Sequence, residues 1–516
     1  MPIVFDTARS SGRPAPQRTD IACFVGFVRR RRVPLPDPIR ERLRIAGWVE
    51  GPWARPAEAV EALEQVPITV ESWDAFDSLF DWRSRPLEAG SRSVCACYLG
   101  AVVRRFFSQG GRRAVIVRVG DPWPYLETPG DRAANRVERL RASLPSFAPG
   151  LAGYRLFDPA DPGSWRGIEH VYGLPEVSLL CLPDLADICA GEAGPPSTTV
   201  PLVPVPEVFV ECSGPESVPG GDAALRRVTA PRCDEAGLLV WRDAVDDVRE
   251  FLARQRDVLF VGAVPLMGAP TALRDPLSYL EREQVLVPTG DTPTQASSAF
   301  VQVAFPWTVT RDSGDLPEEL EPPDGLLAGL IAAGAIARGT YRSVAGRLLP
   351  AVVNTTPVLS WGTGVDTPAG RLAERVCVIA RQPDGWALQS DVTTSPAVEW
   401  RAGSVSRMMA SLVRAARQTG DADLFEVNGP ALWTRVRRHF EALLTTYWLE
   451  GGLGGASPDE AFDVRCDRTT MTQNDLDNGR LVATITVLPV AAIERITIVL
   501  TLSASGQLVG SIREVA

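Results

Sequence analysis

The sequence predicts a mixed α/β (α+β) fold divided into several domains. Short runs of branched apolar residues, typical of buried strands, alternate with stretches whose apolar residues recur at helical spacing. Turns rich in glycine and proline separate these runs. With 516 residues, 45% of them hydrophobic and 22% charged, the chain has the composition of a globular protein and the length of two or three domains.

The amino-terminal part predicts a polar arm at residues 1–20 and then a βαβ-like unit. The unit contains, in order, Ile21–Val28 (strand), Val66–Val70 (strand), Trp73–Phe80 (helix), Val94–Phe107 (helix) and Arg113–Val119 (strand). Ser72 is the expected cap of the first helix. Gly110 and Gly111 supply the tight turn from the second helix to the last strand.

The middle of the chain continues this alternation beyond a Pro-, Asp- and Gly-rich stretch at residues 121–164. The predicted elements are a helix at 132–143, a strand at Val177–Leu182, a helix at Leu238–Gln255, strands at Asp257–Val261 and Phe300–Trp307, and a helix at Leu326–Ala337. Residues 191–235 have the composition of a linker or long loop. Alanine and glycine dominate the helix at Leu326–Ala337, which favours close packing against another element.

The most regular pattern lies in the segment 425–489, which begins with a helix at residues 430–449. Asn428 is the expected N-cap, Pro430 suits the first turn, and Gly451 ends the helix. One stripe is apolar, consisting of Trp433, Val436, Phe440, Leu443, Leu444 and Tyr447. The opposite face carries Arg435, Arg438, His439 and Thr445.

Arg437 lies at the edge of the apolar stripe of this helix, one turn after Trp433 and one turn before Glu441. Stacking on the indole and an ion pair with the carboxylate are both open to it. An arginine whose stem simply passes the edge of the core is the simpler interpretation.

A capped turn and strands follow the glycine break. Ser457-Pro458-Asp459-Glu460 has the pattern of a capping box that begins a short helix. Branched residues predict strands at Phe462–Arg465, Leu481–Leu488 and Ile493–Leu502, with a turn at Asp477-Asn478-Gly479.

Charge and residue types exclude several functional classes. The formal net charge is −10, from 63 acidic and 53 basic residues, which argues against nucleic acid as the main ligand. Every basic residue is arginine, so a P-loop lysine and a Schiff-base lysine are excluded. Only His170 and His439 are present, so a histidine-rich metal cluster is excluded too. The run Arg29–Arg32 is a candidate phosphate site, although a solvated loop is the simpler interpretation.

Two residues are candidates for catalysis, each with a simpler structural interpretation. His170 precedes an apolar strand and is expected in the connection to it rather than as a base. Asp184 follows the strand Val177–Leu182, a position where α/β enzymes place active-site residues, but it has no histidine or lysine near it in sequence. Nine cysteines, an odd number, indicate reduced thiols in a cytosolic protein. Neither a membrane span nor a cleaved signal is expected.

The segment 425–489 resembles the carboxyl-terminal domain of contractile tail sheath proteins, from phage tails and related contractile injection systems. The matching residues occur in family order, at Phe425-Glu426-Val427-Asn428, Leu432-Trp433, Trp448–Gly455, Ser457–Phe462, Cys466-Asp467 and Gly479. Earlier elements match as well, at Phe24-Val25-Gly26, Trp73–Phe80, Phe106–Gly111, Val117-Arg118-Val119, Val177–Asp184 and Phe300–Pro350. Two family features are absent: the Pro-Gly-Val-Tyr-type segment from residues 1–20, and the Leu-Asn and Gly-Ile-Asn pattern from residues 373–400.

The resemblance implies an inner domain built from amino- and carboxyl-terminal segments, with outer domains inserted. On this chain it implies an arm at 1–20, outer domains at 21–120 and 165–380 with a short variable insertion at 121–164, and an inner domain at 381–516. It further implies a non-enzymatic subunit without cofactor or metal. Such subunits polymerise as stacked hexameric rings around an inner tube and contract to drive the tube through an envelope.

The implied partners are further copies or sheath paralogues, the inner tube protein, and baseplate and cap proteins, without nucleic acid or membrane insertion. The subunit would be cytoplasmic in the producing cell and then part of the particle. Arg435 and Arg438 are predicted to face the tube, and a terminal arm that includes Gln507, Leu508, Val509 and Ile512 is predicted to link subunits. The absent features favour an alternative, a specialised baseplate- or cap-proximal subunit that does not itself contract.

Overall fold

The computed structural model describes residues 19–51, 53–147, 157–191, 228–253, 257–268, 298–359, 368–422, 428–490, 496–502 and 508–514. The strands are β1 (Ala22–Phe27), β2 (Arg29–Arg30), β3 (Ile68–Val70), β4 (Phe80–Asp81), β5 (Arg85–Pro86), β6 (Val94–Cys95), β7 (Ala114–Gly120), β8 (Leu179–Cys181), β9 (Arg232–Cys233), β10 (Leu259–Ala263), β11 (Leu266–Met267), β12 (Val301–Phe305), β13 (Trp307–Thr310), β14 (Leu320–Glu321), β15 (Val352–Thr356), β16 (Cys377–Gln382), β17 (Gly385–Leu388), β18 (Phe462–Arg465), β19 (Leu481–Val487), β20 (Ile496–Leu502) and β21 (Leu508–Glu514).

The α-helices lie mainly between these strands. They are α1 (Asp37–Ile45), α2 (Ala57–Ala62), α3 (Trp73–Leu79), α4 (Tyr98–Ser108), α5 (Pro129–Ser143), α6 (Leu185–Cys189), α7 (Glu235–Ala253), α8 (Asp324–Arg338), α9 (Pro368–Leu372), α10 (Val398–Arg401), α11 (Gly403–Ala422), α12 (Pro430–Leu449), α13 (Pro458–Ala461) and α14 (Gln473–Asp477). Single 3₁₀ turns occur at Pro162–Ser164, Gly167–Gly173, Ser313–Asp315 and Pro317–Glu319.

An eight-stranded sheet forms the centre of the fold, with strand order β17-β16-β12-β10-β8-β1-β7-β3. The six strands from β16 to β7 are parallel, and an antiparallel strand closes each edge. The chain passes from β7 on one side of β1 to β8 on the other, so the order of the strands reverses at β1. The sheet extends to Leu388, so the predicted domain boundary at 380/381 falls within β16, and the domain division itself stays a prediction.

Helices cover both faces of this sheet and produce two apolar cores. Side chains of β1 alternate between the cores, with Phe24 in the first and Val25 in the second. Helices α4 and α8 line the first core, whereas α5 and α7 line the second. The arrangement is a three-layer α/β/α structure, and the predicted mixed α/β class is confirmed.

The small residues of α8 allow that helix to lie directly against α4. A Cβ atom added at Gly329 would lie 2.8 Å from the carbonyl oxygen of Phe106 in α4, so only glycine permits this approach. Phe106 and Leu327 contribute to the same core beneath the crossing. The expectation that the alanine and glycine residues of this helix serve packing is therefore confirmed.

The carboxyl-terminal elements form a second unit around an antiparallel four-stranded sheet, in the order β18-β19-β20-β21. Helices α11 and α12 pack against this unit, and Met409, Phe440 and Ile485 belong to the same first core as Phe24 and Leu327. One apolar core therefore runs without interruption from the large sheet into the carboxyl-terminal unit.

A buried ion pair joins the two units. Arg407 of α11 donates from Nη1 and Nη2 to the two carboxylate oxygens of Asp391, at 2.8 and 2.6 Å. Gln302 of β12 donates to the same carboxylate at 3.0 Å, and the backbone N–H of Val344 donates at 2.9 Å. Burial alone raises the pKa of Asp391. The Arg407 charge and the hydrogen bonds from Arg407, Val344 and Gln302 together outweigh burial and lower the pKa to about 2.

Two further arginines of α11 extend this junction along the sheet. Arg414 donates to the carbonyl oxygens of Val177 and Asp257 at 2.7 and 2.6 Å, and Arg417 pairs with the Asp257 carboxylate at 2.5 Å. Val177 and Asp257 directly precede β8 and β10, so α11 lies along the amino-terminal edge of the parallel strands.

The structure corrects two predicted elements in the large sheet and its helices. The helix expected over Val94–Phe107 begins only at Tyr98, because Val94 and Cys95 pair as a strand with Arg85 and Pro86. The single strand expected over Phe300–Trp307 ends at Phe305, and Trp307 begins β13 in a different sheet after the cis peptide bond that precedes Pro306.

Two predicted caps near α12 are also corrected. The N-cap of α12 is Gly429 rather than Asn428, whose amide instead accepts a hydrogen bond from the Trp433 indole at 2.7 Å. Ser457 is the N-cap of α13 but makes no side-chain cap bond. Glu460 reaches back to the N–H of Ala456 at 2.8 Å instead of completing the expected box.

The Asp391–Arg407 pair is expected to hold the junction between the two units. Asp391→Asn keeps the volume but leaves the Arg407 charge buried without its counter-charge, so we expect a loss of about 3–5 kcal/mol in the free energy of unfolding. Urea denaturation followed by tryptophan fluorescence measures the loss, with the exposed Asp459→Asn as a matched control. A denaturation midpoint equal to that of the control would contradict this role.

Candidate functional site

The outer face of α12 presents the two arginines predicted to face the inner tube. Arg435 and Arg438 are exposed, whereas Val436, Phe440 and Tyr447 are buried, so the predicted division of this helix into two faces is confirmed. Arg437 pairs with Glu441 at 3.6 Å, one of the two contacts that the sequence left open beside the simpler interpretation. Whether Arg435 and Arg438 contact a tube stays a prediction.

Hydrogen bonds at both ends fix α12 in place. At its start, the Trp433 indole binds Asn428, and Asn428 donates to the carbonyl oxygen of Arg480 just before β19, at 3.0 Å. In its last turn, Tyr447 shares a hydrogen bond of 2.8 Å with Ser411 of α11. The arginines of the outer face are therefore carried on a helix that is tied both to the four-stranded sheet and to α11.

The carboxyl-terminal strand β21 lies at one edge of the four-stranded sheet. It pairs antiparallel with β20 of the same chain along its whole length, from Leu508 opposite Leu502 to Glu514 opposite Ile496. The predicted arm residues Leu508, Val509 and Ile512 lie in this strand, whereas Gln507 lies outside the described residues.

The sequences of these two strands suit different places in a sheet. Strand β20, ITIVLTL, has no charged residue and is rich in branched residues, which is typical of a central strand. Strand β21, LVGSIRE, contains glycine and two charged residues, which is typical of an edge. The edge of β20 therefore requires a partner strand, and use of β21 between subunits stays a prediction.

Near Asp184, the chain itself fills the carboxyl edge of β1 and β8, where the strand order reverses and α/β enzymes bind their ligands. Asp184 lies at this edge and accepts a hydrogen bond from the backbone N–H of Phe27 at 2.7 Å. The adjoining cavity measures only about 10 Å³, which leaves no room for a substrate. Asp184 has a structural role here, and the simpler interpretation of this residue is favoured.

A second buried carboxyl group lies close to the first. Asp324, in the first turn of α8, accepts from the N–H of Gly325 at 3.1 Å, while its other oxygen is buried and without a hydrogen-bond partner among the described residues. Burial raises the pKa of both Asp184 and Asp324 to about 7. Hydrogen bonds from backbone N–H groups oppose this rise at both residues, and each carboxyl group is further disfavoured as an anion by a neighbouring aspartate.

The remaining candidates of the sequence are structural. His170 is buried in a 3₁₀ turn against the Trp48 ring, at 5.5 Å between ring centres, where burial and the nearby Arg55 charge lower its pKa to about 3. Arg30 donates to the carbonyl oxygen of Leu79 at 2.7 Å, and Arg31 pairs with Asp77 at 3.1 Å. The solvated loop expected over Arg29–Arg32 is therefore corrected: Arg29 and Arg30 form β2, which pairs with β4, and Arg30 and Arg31 bind the neighbouring segment.

Metal ligands and membrane spans are not found in the part of the chain that the structure describes. No group of three or more His, Cys, Asp or Glu residues there could hold a metal ion. The eight cysteines in those ranges are buried free thiols, and burial raises the pKa of Cys377 to about 12. No helix within the same ranges is long and apolar enough to cross a membrane.

Sequence reasoning missed one surface feature, an open cleft of about 760 Å³ beside the ends of α8 and α12. Arg112 and Arg338 line it together with Tyr341 and Glu450. The signal was available in the sequence, because residues 325–365 contain no aspartate or glutamate in an otherwise acidic chain.

The contribution of Asp184 and Asp324 to stability is expected to fall as the pH rises from about 4 to about 7. In this window Asp184 and Asp324 stay protonated in the folded state while they ionise in the unfolded state, so each lowers the free energy of unfolding by at most about 1.4 kcal/mol per pH unit. The contribution is fully present below about pH 4 and is lost above about pH 7. Asp324→Asn should therefore flatten the dependence of Tm on pH, and Asp459→Asn should not. Equal slopes for the wild type and Asp324→Asn would contradict the proposed titration.

No family model and no curated protein matches the sequence. Solved structures do match. A chain of the contracted baseplate of the anti-feeding prophage (AFP) has a TM-score of 0.55 at 16% identity, over 96% of this chain and 94% of that chain. A chain of the contracted AFP helical sheath has a TM-score of 0.52 at 17% identity, over 95% of both chains.

The sheath complex of PVC, an extracellular contractile injection system, gives a third match in its contracted state. Its TM-score is 0.51 at 16% identity, over 92% of this chain and 89% of that chain. Each match covers nearly the whole length of both compared chains. The similarity therefore extends to the complete arrangement of helices and strands and is not limited to one shared unit. The chain therefore has the fold of contractile sheath proteins.

Proposed function

We propose that this chain is a structural subunit of a contractile sheath. It polymerises as stacked six-subunit rings around an inner tube and contracts to drive that tube through a target envelope. The observation that carries the proposal is the sheath fold over almost the entire chain, shared with a chain of the contracted AFP helical sheath. The energy for contraction is stored in the packing between subunits, so the subunit needs no nucleotide.

The internal structure of the subunit supports this function. A sheath that changes lattice requires bodies that rotate without deforming. Here one core continues from the large sheet into the carboxyl-terminal unit, and the Asp391–Arg407 pair and Arg414 fix α11 between them. These contacts favour movement of the subunit as one body, with flexibility confined to the links between subunits.

Strand β21 supplies a candidate link between neighbouring subunits. Because it lies at an edge and pairs only with β20 in its own chain, it can exchange to the same position in a neighbour without loss of main-chain hydrogen bonds. The arm at residues 1–20 is proposed as a second link, and its residues 1–18 lie outside the described part of the chain.

A second candidate function is a specialised subunit next to the baseplate or cap that does not itself contract. It is favoured by the match to a chain of the AFP baseplate and by the family patterns that residues 1–20 and 373–400 lack. In either case the chain would be made in the cytoplasm and then incorporated into a tail or injection particle.

Electron microscopy of the chain, alone and mixed with a candidate tube protein, separates these functions. Striated hollow cylinders are expected for a contractile sheath subunit, and single rings for a baseplate or cap subunit. A chain that forms neither under any of these conditions would contradict both.

Locking β21 onto its own β20 tests the exchange of this strand. Thr501 and Val509 are directly opposite each other, so Thr501→Cys/Val509→Cys can form a disulfide across the pair. The oxidised protein is expected to stay folded but not to polymerise, and reduction is expected to restore polymers, both followed by sedimentation. The two single-cysteine variants are the controls. Polymers of the oxidised double variant equal to those of wild type would rule out strand exchange.

Arg435 and Arg438 are proposed to contact the inner tube through their charges. Arg435→Glu/Arg438→Glu should weaken co-assembly with the tube protein by about tenfold or more, since like charges across a contact are unfavourable. The thermal midpoint should stay near that of wild type because both side chains are exposed. Co-sedimentation with the tube protein measures the effect, and normal contractile particles from this variant would contradict it.

A further inference from the structure

Four exposed or half-exposed arginines form a basic surface at the ends of α4 and α8. This arginine patch consists of Arg112, Arg338, Arg342 and Arg347. Arg112 and Arg338 line the same cleft, and Arg342 and Arg347 act electrostatically on Arg338. The patch therefore collects charges from two separate stretches of the chain.

Two of these arginines bind carbonyl oxygens rather than carboxylates, although Asp20 and Glu450 line the same cleft. Arg338 donates to the carbonyl oxygen of Ser343 at 3.1 Å, and Arg342 donates to the carbonyl oxygen of Glu450 at 2.9 Å. Across the described ranges, no ion pair within 4.0 Å involves any of the four. Partial burial and the charges of Arg347 and Arg342 lower the pKa of Arg338, so the guanidinium groups repel one another in the free subunit.

The surroundings of the patch suit a protein surface better than a small anion. The cleft is open and measures about 760 Å³. Ile336 and Leu348 lie beside the arginines in sequence with 41% and 53% of their surface exposed. Apolar side chains among charged ones are typical of contacts between proteins, in which apolar area and charge act together.

Charge complementarity points to a second copy of this chain as the partner. The chain has a net charge of −10, so the patch has the opposite sign to the chain as a whole. One surface source of carboxylates is the segment 459–477, with six acidic residues, Asp459, Glu460, Asp463, Asp467, Asp475 and Asp477, against two basic ones, Arg465 and Arg468. Of these, Asp463 pairs with Arg465, and Asp475 pairs with Arg480. Asp459 and Asp477 are exposed.

We propose that the arginine patch of one copy docks onto the acidic segment 459–477 of the next copy. The inference rests on the proposed function as a polymer and names a contact within it. Because the two surfaces differ, the contact is head to tail and continues from copy to copy into a ring or helix. Salt is expected to weaken this contact, because dissolved ions screen the attraction between exposed charges. The screening length is about 10 Å at 0.1 M ionic strength and becomes shorter as salt is added.

Charge reversal on each side, followed by mixing, tests this contact. Arg338→Glu/Arg347→Glu and Asp459→Arg/Asp477→Arg should each raise the apparent Kd for self-association about tenfold or more in about 50 mM salt. An equimolar mixture should recover association to within about threefold of wild type, because each variant then meets a surface of opposite charge on the other. Sedimentation velocity measures all of these, and wild-type association should weaken in about 500 mM salt.

The controls separate this contact from the proposed function. Arg42→Glu/Arg92→Glu, at two exposed arginines to which no contact is assigned, has the same change in net charge as the patch variant and should self-associate like wild type. If either charge-reversed variant alone assembles like wild type, or if folded variants fail to recover on mixing, the contact is overturned while the proposed sheath function stands. A wild-type chain that stays monomeric in low salt, and with the tube protein, overturns both.

Discussion

The buried pair of Asp391 and Arg407 is the interaction on which the arrangement of the two units depends. A guanidinium in an apolar interior requires a counter-charge and a hydrogen-bond acceptor for its N–H groups. For Arg407 the Asp391 carboxylate, which Gln302 also binds, supplies the counter-charge, and the carbonyl oxygen of Thr340 is a further acceptor. Because Asp391 also accepts from Gln302 and from the backbone of Val344, helix α11 has only one position relative to the large sheet. The four-stranded sheet and α12 then pack on the other side of α11, so their orientation follows from the same pair.

The interior of the large sheet is consistent with the assembly role proposed above. In parallel sheets the carboxyl edge offers a crevice where the strand order reverses. In this chain Asp184 fills that crevice by binding the N–H of Phe27, with about 10 Å³ left beside it. The opposite, amino-terminal edge is covered by α11 through Arg414. Within the described part of the chain, the surfaces that the proposals above assign to partners are the outer face of α12, the edge at β21 and the arginine patch, all away from this crevice.

Local pattern was sufficient to predict most elements, because periodicity and turn residues act within a few positions. The helix at Pro430–Leu449, the strand Phe462–Arg465 and the Ser72 cap all follow from such patterns. Errors arose where a distant partner decided the structure. Cys95 is in a strand because of Arg85, and Asn428 is not the helix cap because Trp433 and Arg480 engage its amide. The Asp391–Arg407 pair and the packing of two carboxyl groups near β1 depend on the tertiary fold, so no sequence window could show them.

Arginine takes the place of lysine throughout this chain, and the same requirement for a matching charge applies to arginines in the interior and at surfaces that become buried. In the interior, arginine's planar fork can satisfy two carboxylate oxygens at once, as in the pairs of Arg407 with Asp391 and Arg105 with Glu321. Such pairs are stable only because each charge is matched where it is buried. The same requirement holds when a surface becomes buried between subunits. In the contact proposed above, the arginine patch is matched by carboxylates from outside the subunit. Another copy of an acidic chain is the most abundant source of these carboxylates in a polymer built from that chain.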